Sequence, residues 1–138
     1  MNDVMFGVEM PQHVGFDYLK AMAIGTENLG FDSRWVRDDP IITPEEMDRF
    51  PQGCISQGRS AVSTSYLGCL PTLATVAAVT NRVTIGTDIL NIPRYQPADI
   101  ASEIVTVDQI SRGRVILQGA IGQPTRDWDP LGASPSLK

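Results

Sequence analysis

Short runs of β-branched and apolar residues alternate along the chain with longer segments whose apolar positions recur every three or four residues. Residues 4–10 (VMFGVEM) form the first run, and Pro11 closes it by removing a backbone donor. Over residues 16–29, Leu19, Met22, Ala23 and Thr26 keep helical spacing, and Gly30 suits the left-handed position that ends a helix. Residues 33–38 read as a second strand. Leu70, Leu73, Val76, Ala77 and Thr80 then mark a helix with Pro71 in its first turn, followed by a strand over residues 83–90. The next helix opens at Pro97. Its expected buried stripe is Ile100, Ala101, Ile104, Val105 and Asp108, its stop is Gly113, and residues 115–121 make the fourth strand. The order is βαβαβαβ.

Strands that alternate with helices imply right-handed crossovers and a parallel sheet, either open and doubly wound or curved into a (β/α)8 barrel. A dinucleotide-binding open sheet wants G-x-G-x-x-G directly after its first strand, so that backbone can approach a pyrophosphate. Here that turn is Pro11-Gln12-His13-Val14-Gly15, with one glycine, and Gly119-Ala120-Ile121-Gly122 after the fourth strand reads as a tight strand exit. The barrel is the better fit. Residues 40–68, rich in Gly, Ser and Thr, form a long loop on the active-site side of one domain spanning residues 1–138. Within it Thr43-Pro44-Glu45-Glu46 predicts a short helical turn, with a capping hydroxyl, Pro at the first helical position and Glu at the third.

The 138 residues are 42% hydrophobic and 20% charged, enough apolar material for one compact core. With 11 basic against 16 acidic residues, the net charge of −5 supplies no footprint for a phosphate backbone, so no nucleic-acid partner is expected. The longest nearly apolar stretch, residues 73–79, is far short of the ~20 residues that span a bilayer. Met1-Asn2-Asp3 does not begin a signal peptide, so no membrane association and a cytoplasmic location are expected. Cys54 and Cys69 lack CxxC spacing and His13 is the sole histidine, so no metal site is expected and both thiols read as free and inert. Cys69 is placed ahead of a helix on the side of the unit opposite the active site.

Taken in order, a set of segments resembles the luciferase-like monooxygenase family, which includes bacterial luciferase and related flavin- and deazaflavin-dependent oxidoreductases. They are Phe6-Gly7-Val8 with Pro11-Gln12, Leu29-Gly30-Phe31-Asp32, Trp35-Val36-Arg37-Asp38, LATVAAVTNR at 73–82, Ile85-Gly86-Thr87, and Pro93 with Pro97. Val107-Asp108-Gln109-Ile110-Ser111, Gly113-Arg114 and Leu131-Gly132 continue the series. The resemblance implies a (β/α)8 barrel, a fold of ~250 residues. The present chain corresponds to its first four strands, as a truncated product or a piece of a longer chain. Outer strands left unpaired, with apolar barrel-facing side chains, imply self-association.

The family's active site lies at the C-terminal ends of the strands. The resemblance places a non-proline cis peptide that supports the flavin ring at Asp88-Ile89, beside Thr87, and an acidic group near the flavin at Asp38. The position after it, often a catalytic His in luciferases, is Asp39 here. An unperturbed Asp, with a pKa of about 3.9, is a poor base at neutral pH unless burial raises it. His13, just past the first strand, is the remaining candidate for proton transfer. Where luciferases carry a reactive Cys and an Arg, this chain has Ala120 and Ile121. Arg94, Gln96 and Arg126 are candidates to face an anionic cofactor, and Trp35 reads as a core residue. The implied activity is oxidation of a small organic substrate by reduced FMN and oxygen, with a flavin reductase or NAD(P)H as electron donor. The alternatives are hydride transfer with coenzyme F420, or a non-catalytic flavin-binding module.

Overall fold

The structure, a computed structural model, describes residues 4–12, 14–38 and 67–122. Its elements are β1 (Gly7–Glu9), α1 (Phe16–Asn28), β2 (Ser33–Val36), α2 (Cys69–Val79), β3 (Thr84–Thr87) and β4 (Leu90–Asn91). A 3₁₀ turn (Ile92–Arg94), α3 (Pro97–Ser111), β5 (Val115–Ile116) and β6 (Gly119–Ala120) complete them. The helical turn expected at 43–46 and residues 40–66 of the loop expected at 40–68 lie outside the described residues.

β1, β2, β3 and β5 form a parallel sheet in that spatial order, and β4 pairs with β6, also in parallel. Strand order follows chain order without reversal, and β1 sits at the edge. A doubly wound sheet places its first strand in the middle and reverses direction there, so this is the wall of a barrel. The strands are shorter than the apolar runs. Residues 4–6 and 10 lie outside β1, although the Phe6 carbonyl still accepts from the Asp32 N–H and the Met10 N–H donates to the Trp35 carbonyl, and the expected strands at 83–90 and 115–121 are each split in two.

One face of the sheet packs on the helices. Val36, Val83 and Ile85 join Leu19 and Ala23 of α1 and Leu70, Leu73, Val76 and Ala77 of α2 in a continuous core. Arg34 shares that face, fully buried. Its Nη2 donates to the Met22 carbonyl at 2.6 Å, and desolvation pushes its pKa down to about 10 against the opposing pull of Glu27. Trp35 lies on the other face and is half-buried rather than core. Its indole crosses Gly86, where a Cβ would sit 2.5 Å from the ring and 3.0 Å from the Ile116 carbonyl oxygen. The residue thus lines the barrel interior, because the strand alternation turns it away from the helices.

The α1 stripe is as the spacing predicts, with Leu19, Ala23 and Thr26 buried. The α3 stripe is not. Val107 and Ser111 are buried and Ile100 and Ile104 half-buried, but Ala101 is exposed and Val105 is 60% exposed. α3 packs against α2 and β5, and its Ala101/Val105 flank is left exposed among the described residues. The helix stops where expected, with Arg112 and Gly113 both in the left-handed region at φ 61° and 80°.

Two polar groups pin the N-terminal ends of the strands. The Glu27 carboxylate accepts backbone N–H bonds from Asn81, Arg82 and Val83 at 2.8–3.0 Å, fixing the entry to β3. The Arg114 guanidinium donates to the carbonyls of Ala77, Thr80, Val83 and Ser111 and to Thr80 Oγ1. No helix among the described residues is long and apolar enough to cross a membrane.

Candidate active site at the strand ends

At the C-terminal end of the sheet the β3 side of the ladder carries one residue more than the β5 side. Ile85 pairs with Val115 and Gly86 with Ile116, yet Leu90 pairs with Gly119 and Asn91 with Ala120, so the pairing offset shrinks by one between Thr87 and Leu90. This is a β-bulge, a device that bends a strand and re-aims its side chains. Thr87, fully buried, bridges the gap: its Oγ1 donates to the Gln118 carbonyl at 2.8 Å and accepts the Gln118 N–H at 2.9 Å. The Leu90 N–H donates to the same carbonyl at 2.9 Å. Between these anchors the Asp88-Ile89 bond is cis. Asp88 is exposed, its N–H donating to the Val36 carbonyl at 2.8 Å, and Ile89 is 37% exposed. The two residues stand at the rim.

Thr87→Val keeps the shape and removes both hydroxyl bonds. It is expected to lower the unfolding free energy by about 1–2 kcal/mol, measured by urea denaturation, and to speed amide exchange at Gln118 more than in α1.

Asp38, 5% exposed, sits at the exit of β2 and collects donors from the segment that follows the bulge. Its Oδ1 accepts from Arg94 Nη1 and from the Tyr95 hydroxyl at 3.0 Å; its Oδ2 accepts the Asn91 N–H at 2.9 Å. Asn91 Nδ2 in turn donates to the Asp38 carbonyl at 2.8 Å. The Arg94 guanidinium also lies over the Tyr95 ring, 5.9 Å from its centre. Burial first, and then the Asp38 charge, push the Tyr95 hydroxyl far above its ordinary pKa, so it stays a donor.

Gln12, 1% exposed, ties the exits of β1 and β2 to the approach to α2. Its Nε2 donates to the carbonyls of Arg37 and Leu67 at 2.9 and 2.8 Å, and its Oε1 accepts the Arg37 N–H at 2.8 Å. One side chain therefore joins Arg37 to Leu67.

Of the residues singled out in the sequence, Asp88 and Ile89 face outward at the rim, while Thr87 and Asp38 lie buried beneath it with their oxygens engaged by the chain itself. Asp39 and His13 lie outside the described residues. Arg94 faces Asp38 instead of open solvent, because a buried carboxylate one strand away claims its guanidinium. Cys69 is corrected in place: it is the first residue of α2, buried, with Sγ 3.8 Å from the Val36 carbonyl oxygen. It is on the same side as the rim, since a helix that follows a strand starts at that strand's C-terminal end. Gln12, Asn91 and Tyr95 carried no role in the sequence. The signal for the last two was the run Asn91-Ile92-Pro93-Arg94-Tyr95, three donors placed after one strand opposite an acid ending its neighbour. Among the described residues no group of three or more His, Cys, Asp and Glu could hold a metal ion.

Residues 5–135 match the sequence profile of the luciferase-like monooxygenases. The chain belongs to that family. Over 63 residues, 46% of this chain and 16% of the relative, it is 33% identical to limonene 1,2-monooxygenase of Rhodococcus erythropolis. An F420-dependent secondary alcohol dehydrogenase, solved with an F420-acetone adduct, superposes with a TM-score of 0.69 at 24% identity, over 96% of this chain and 36% of that one. The coenzyme F420-dependent tetrahydromethanopterin reductase of Methanopyrus kandleri gives 0.67 at 22%, over 95% and 30%. The oxygenating constituent of 3,6-diketocamphane monooxygenase from Pseudomonas putida, in complex with FMN, gives 0.60 at 16%, over 88% and 30%. The chain thus spans about a third of the length of these solved relatives and is a partial barrel.

Proposed function

We propose that the rim of this chain holds the ring of a flavin in a monooxygenase site acting on a small organic substrate. The observation that carries the reading is the bulge after β3, which puts Asp88 and Ile89 at the active-site end of the barrel wall on a ledge braced from below by Thr87 and Asp38. A flat ring fits such a ledge: Ile89 offers an apolar surface, and the adjoining interior face is kept low by Gly7 and Gly86 on either side of Trp35. The described residues suit the ring better than a phosphate tail. Arg94 is engaged by Asp38, and Arg37 stands 3.6 Å from Glu9.

When bound, reduced FMN supplies the electrons for oxygen activation, and this chain's part is to hold and orient the ring and exclude water. Asp39 and His13 are the groups proposed to move protons, with a flavin reductase or NAD(P)H as electron source. The monooxygenase form of the reading is supported by the likeness to limonene 1,2-monooxygenase and to an FMN-bound monooxygenase. A second reading, hydride transfer with F420, is supported by the higher TM-scores of two F420-dependent proteins.

Titration of the purified chain into FMN and, separately, into F420, followed by cofactor fluorescence, separates the two. FMN emission is expected to change with a midpoint below about 1 mM, about 4 kcal/mol of binding. Binding of F420 alone selects the second reading, and no change with either cofactor removes both.

A further inference from the structure

Asp38 has the position of a site residue and the environment of a structural one. Its carboxylate is 3% exposed and, among the described residues, accepts from Asn91, Arg94 and Tyr95, which belong to the segment 91–95 that follows the Asp88-Ile89 ledge. Its carbonyl accepts from the Asn91 side chain of the same segment. On the other side of the ledge, Thr87 is anchored through Gln118, and the Asp88 N–H is held by Val36, two residues before Asp38. The ledge is thus suspended between two fixed points, and Asp38 makes one of them.

We infer that Asp38 is a positioning residue, acting on the bound ring through the 91–95 segment and not by touching the ring. The inference rests on the reading of the rim as a flavin site. Its chemistry is specific to a carboxylate. Asp38 Oδ1 accepts from a guanidinium and a phenol at once, while Oδ2 takes a backbone N–H, so an amide in its place would turn an NH₂ toward one of these donors. The ledge would remain in place on average but would open more often, and a ring that needs it preformed would bind more weakly.

The test uses the full chain carrying Asp38→Asn, Arg94→Met, Arg94→Lys or both Asp38→Asn and Arg94→Met, with amide hydrogen exchange of the free protein and FMN titration as readouts. Asp38→Asn is expected to speed exchange at residues 89–95 about tenfold with α1 and α2 unchanged, and to raise the FMN Kd about tenfold. The absorption spectrum of the bound flavin stays as in the wild type, since the ring's own neighbours are the same. Arg94→Met does likewise, Arg94→Lys restores most of the affinity, and the double variant is no weaker than either single one. A bound-flavin spectrum shifted by Asp38→Asn, with exchange at 89–95 unchanged, means direct contact and overturns the inference. So does faster exchange with an unchanged Kd. Wild-type protein that binds no flavin overturns the functional reading and this inference with it, whereas wild-type binding left intact in Asp38→Asn overturns the inference alone. Tyr95→Phe, which removes one bond, gives the same directions at a few-fold should Asp38→Asn not fold.

Discussion

Arg114→Met is expected to lower the unfolding free energy by about 3 kcal/mol or more, a large share of the 5–15 kcal/mol that holds a typical domain together. The reason is the number of acceptors gathered on one side chain. Nη2 bonds the Ala77 and Thr80 carbonyls at 2.9 Å, Nη1 bonds the Val83 carbonyl and Thr80 Oγ1 at 2.8 and 3.0 Å, and Nε bonds the Ser111 carbonyl at 2.7 Å. These carbonyls end α2, begin β3 and end α3, so one guanidinium joins three elements where they would otherwise present unpaired acceptors. Two of the three elements are helix C-termini, where a cation also meets the negative end of the helix dipole. Methionine keeps the aliphatic stem and removes every donor, leaving the carbonyls to compete for whatever water reaches them. Burial lowers the Arg114 pKa and Glu27 opposes that shift; a guanidinium is too basic to lose its proton in a protein, so the loss is of charge-assisted bonds. Urea denaturation followed by circular dichroism reads the effect as a lower midpoint at unchanged slope. A change below about 0.5 kcal/mol would mean that the guanidinium bonds are replaced by solvent at no cost.

That residue marks the boundary of what the sequence discloses. The alternation of periods separates strands from helices, and the missing glycines after β1 already favour a barrel over a nucleotide-binding sheet. Both depend on short-range pattern, and short-range pattern is what a chain shows. Arg114 and Glu27 are invisible to it, because, apart from Ser111 beside Arg114, the groups their side chains join lie 31–37 and 54–56 positions away, and nothing in the periodicity of Ala77 or Asn81 announces a polar contact. The α3 stripe fails for a related reason. Ala101 and Val105 have the spacing of a buried face, but burial needs a neighbour on that side, and spacing alone does not supply one. At the rim, position is legible and task is not. The strand ends place Asp38, Thr87, Asp88 and Ile89 together, but only the shift in pairing between β3 and β4 shows that two of them build the ledge and two stand on it. Arg34, a fully buried cation in a strand that reads as ordinary, is the plainest local conflict in the chain. Its Nε and Nη1 have no hydrogen-bond partner among the described residues, a cost that no reading of side-chain spacing anticipates.

Glu27 should make the protein acid-sensitive in a way that a single substitution removes. Its carboxylate takes the N–H groups of Asn81, Arg82 and Val83, which lead into β3, and its own carbonyl accepts from Arg82 Nη2 at 2.7 Å. Burial alone would raise its pKa, but the three backbone donors and the nearby Arg114 charge outweigh burial, so the folded pKa lies below the ordinary 4.5. The folded chain therefore binds this proton less readily than the unfolded chain does. Stability from the group is fully present above pH 4.5 and drains away as the pH falls from there through the folded value. Glu27→Ala is expected to cost about 2 kcal/mol at neutral pH, the scale of hydrogen bonds to a charged acceptor, and Glu27→Gln less, since an amide oxygen still accepts but carries no charge. The decisive comparison is the pH profile. Measured by urea denaturation between pH 7 and pH 3, the gap between wild type and Glu27→Gln should be constant down to about pH 5 and shrink below pH 4.5 as the wild-type carboxylate takes its proton. A gap that stays constant across the whole range would show that the three N–H groups need only an oxygen, and that its charge contributes nothing to holding the entry of β3.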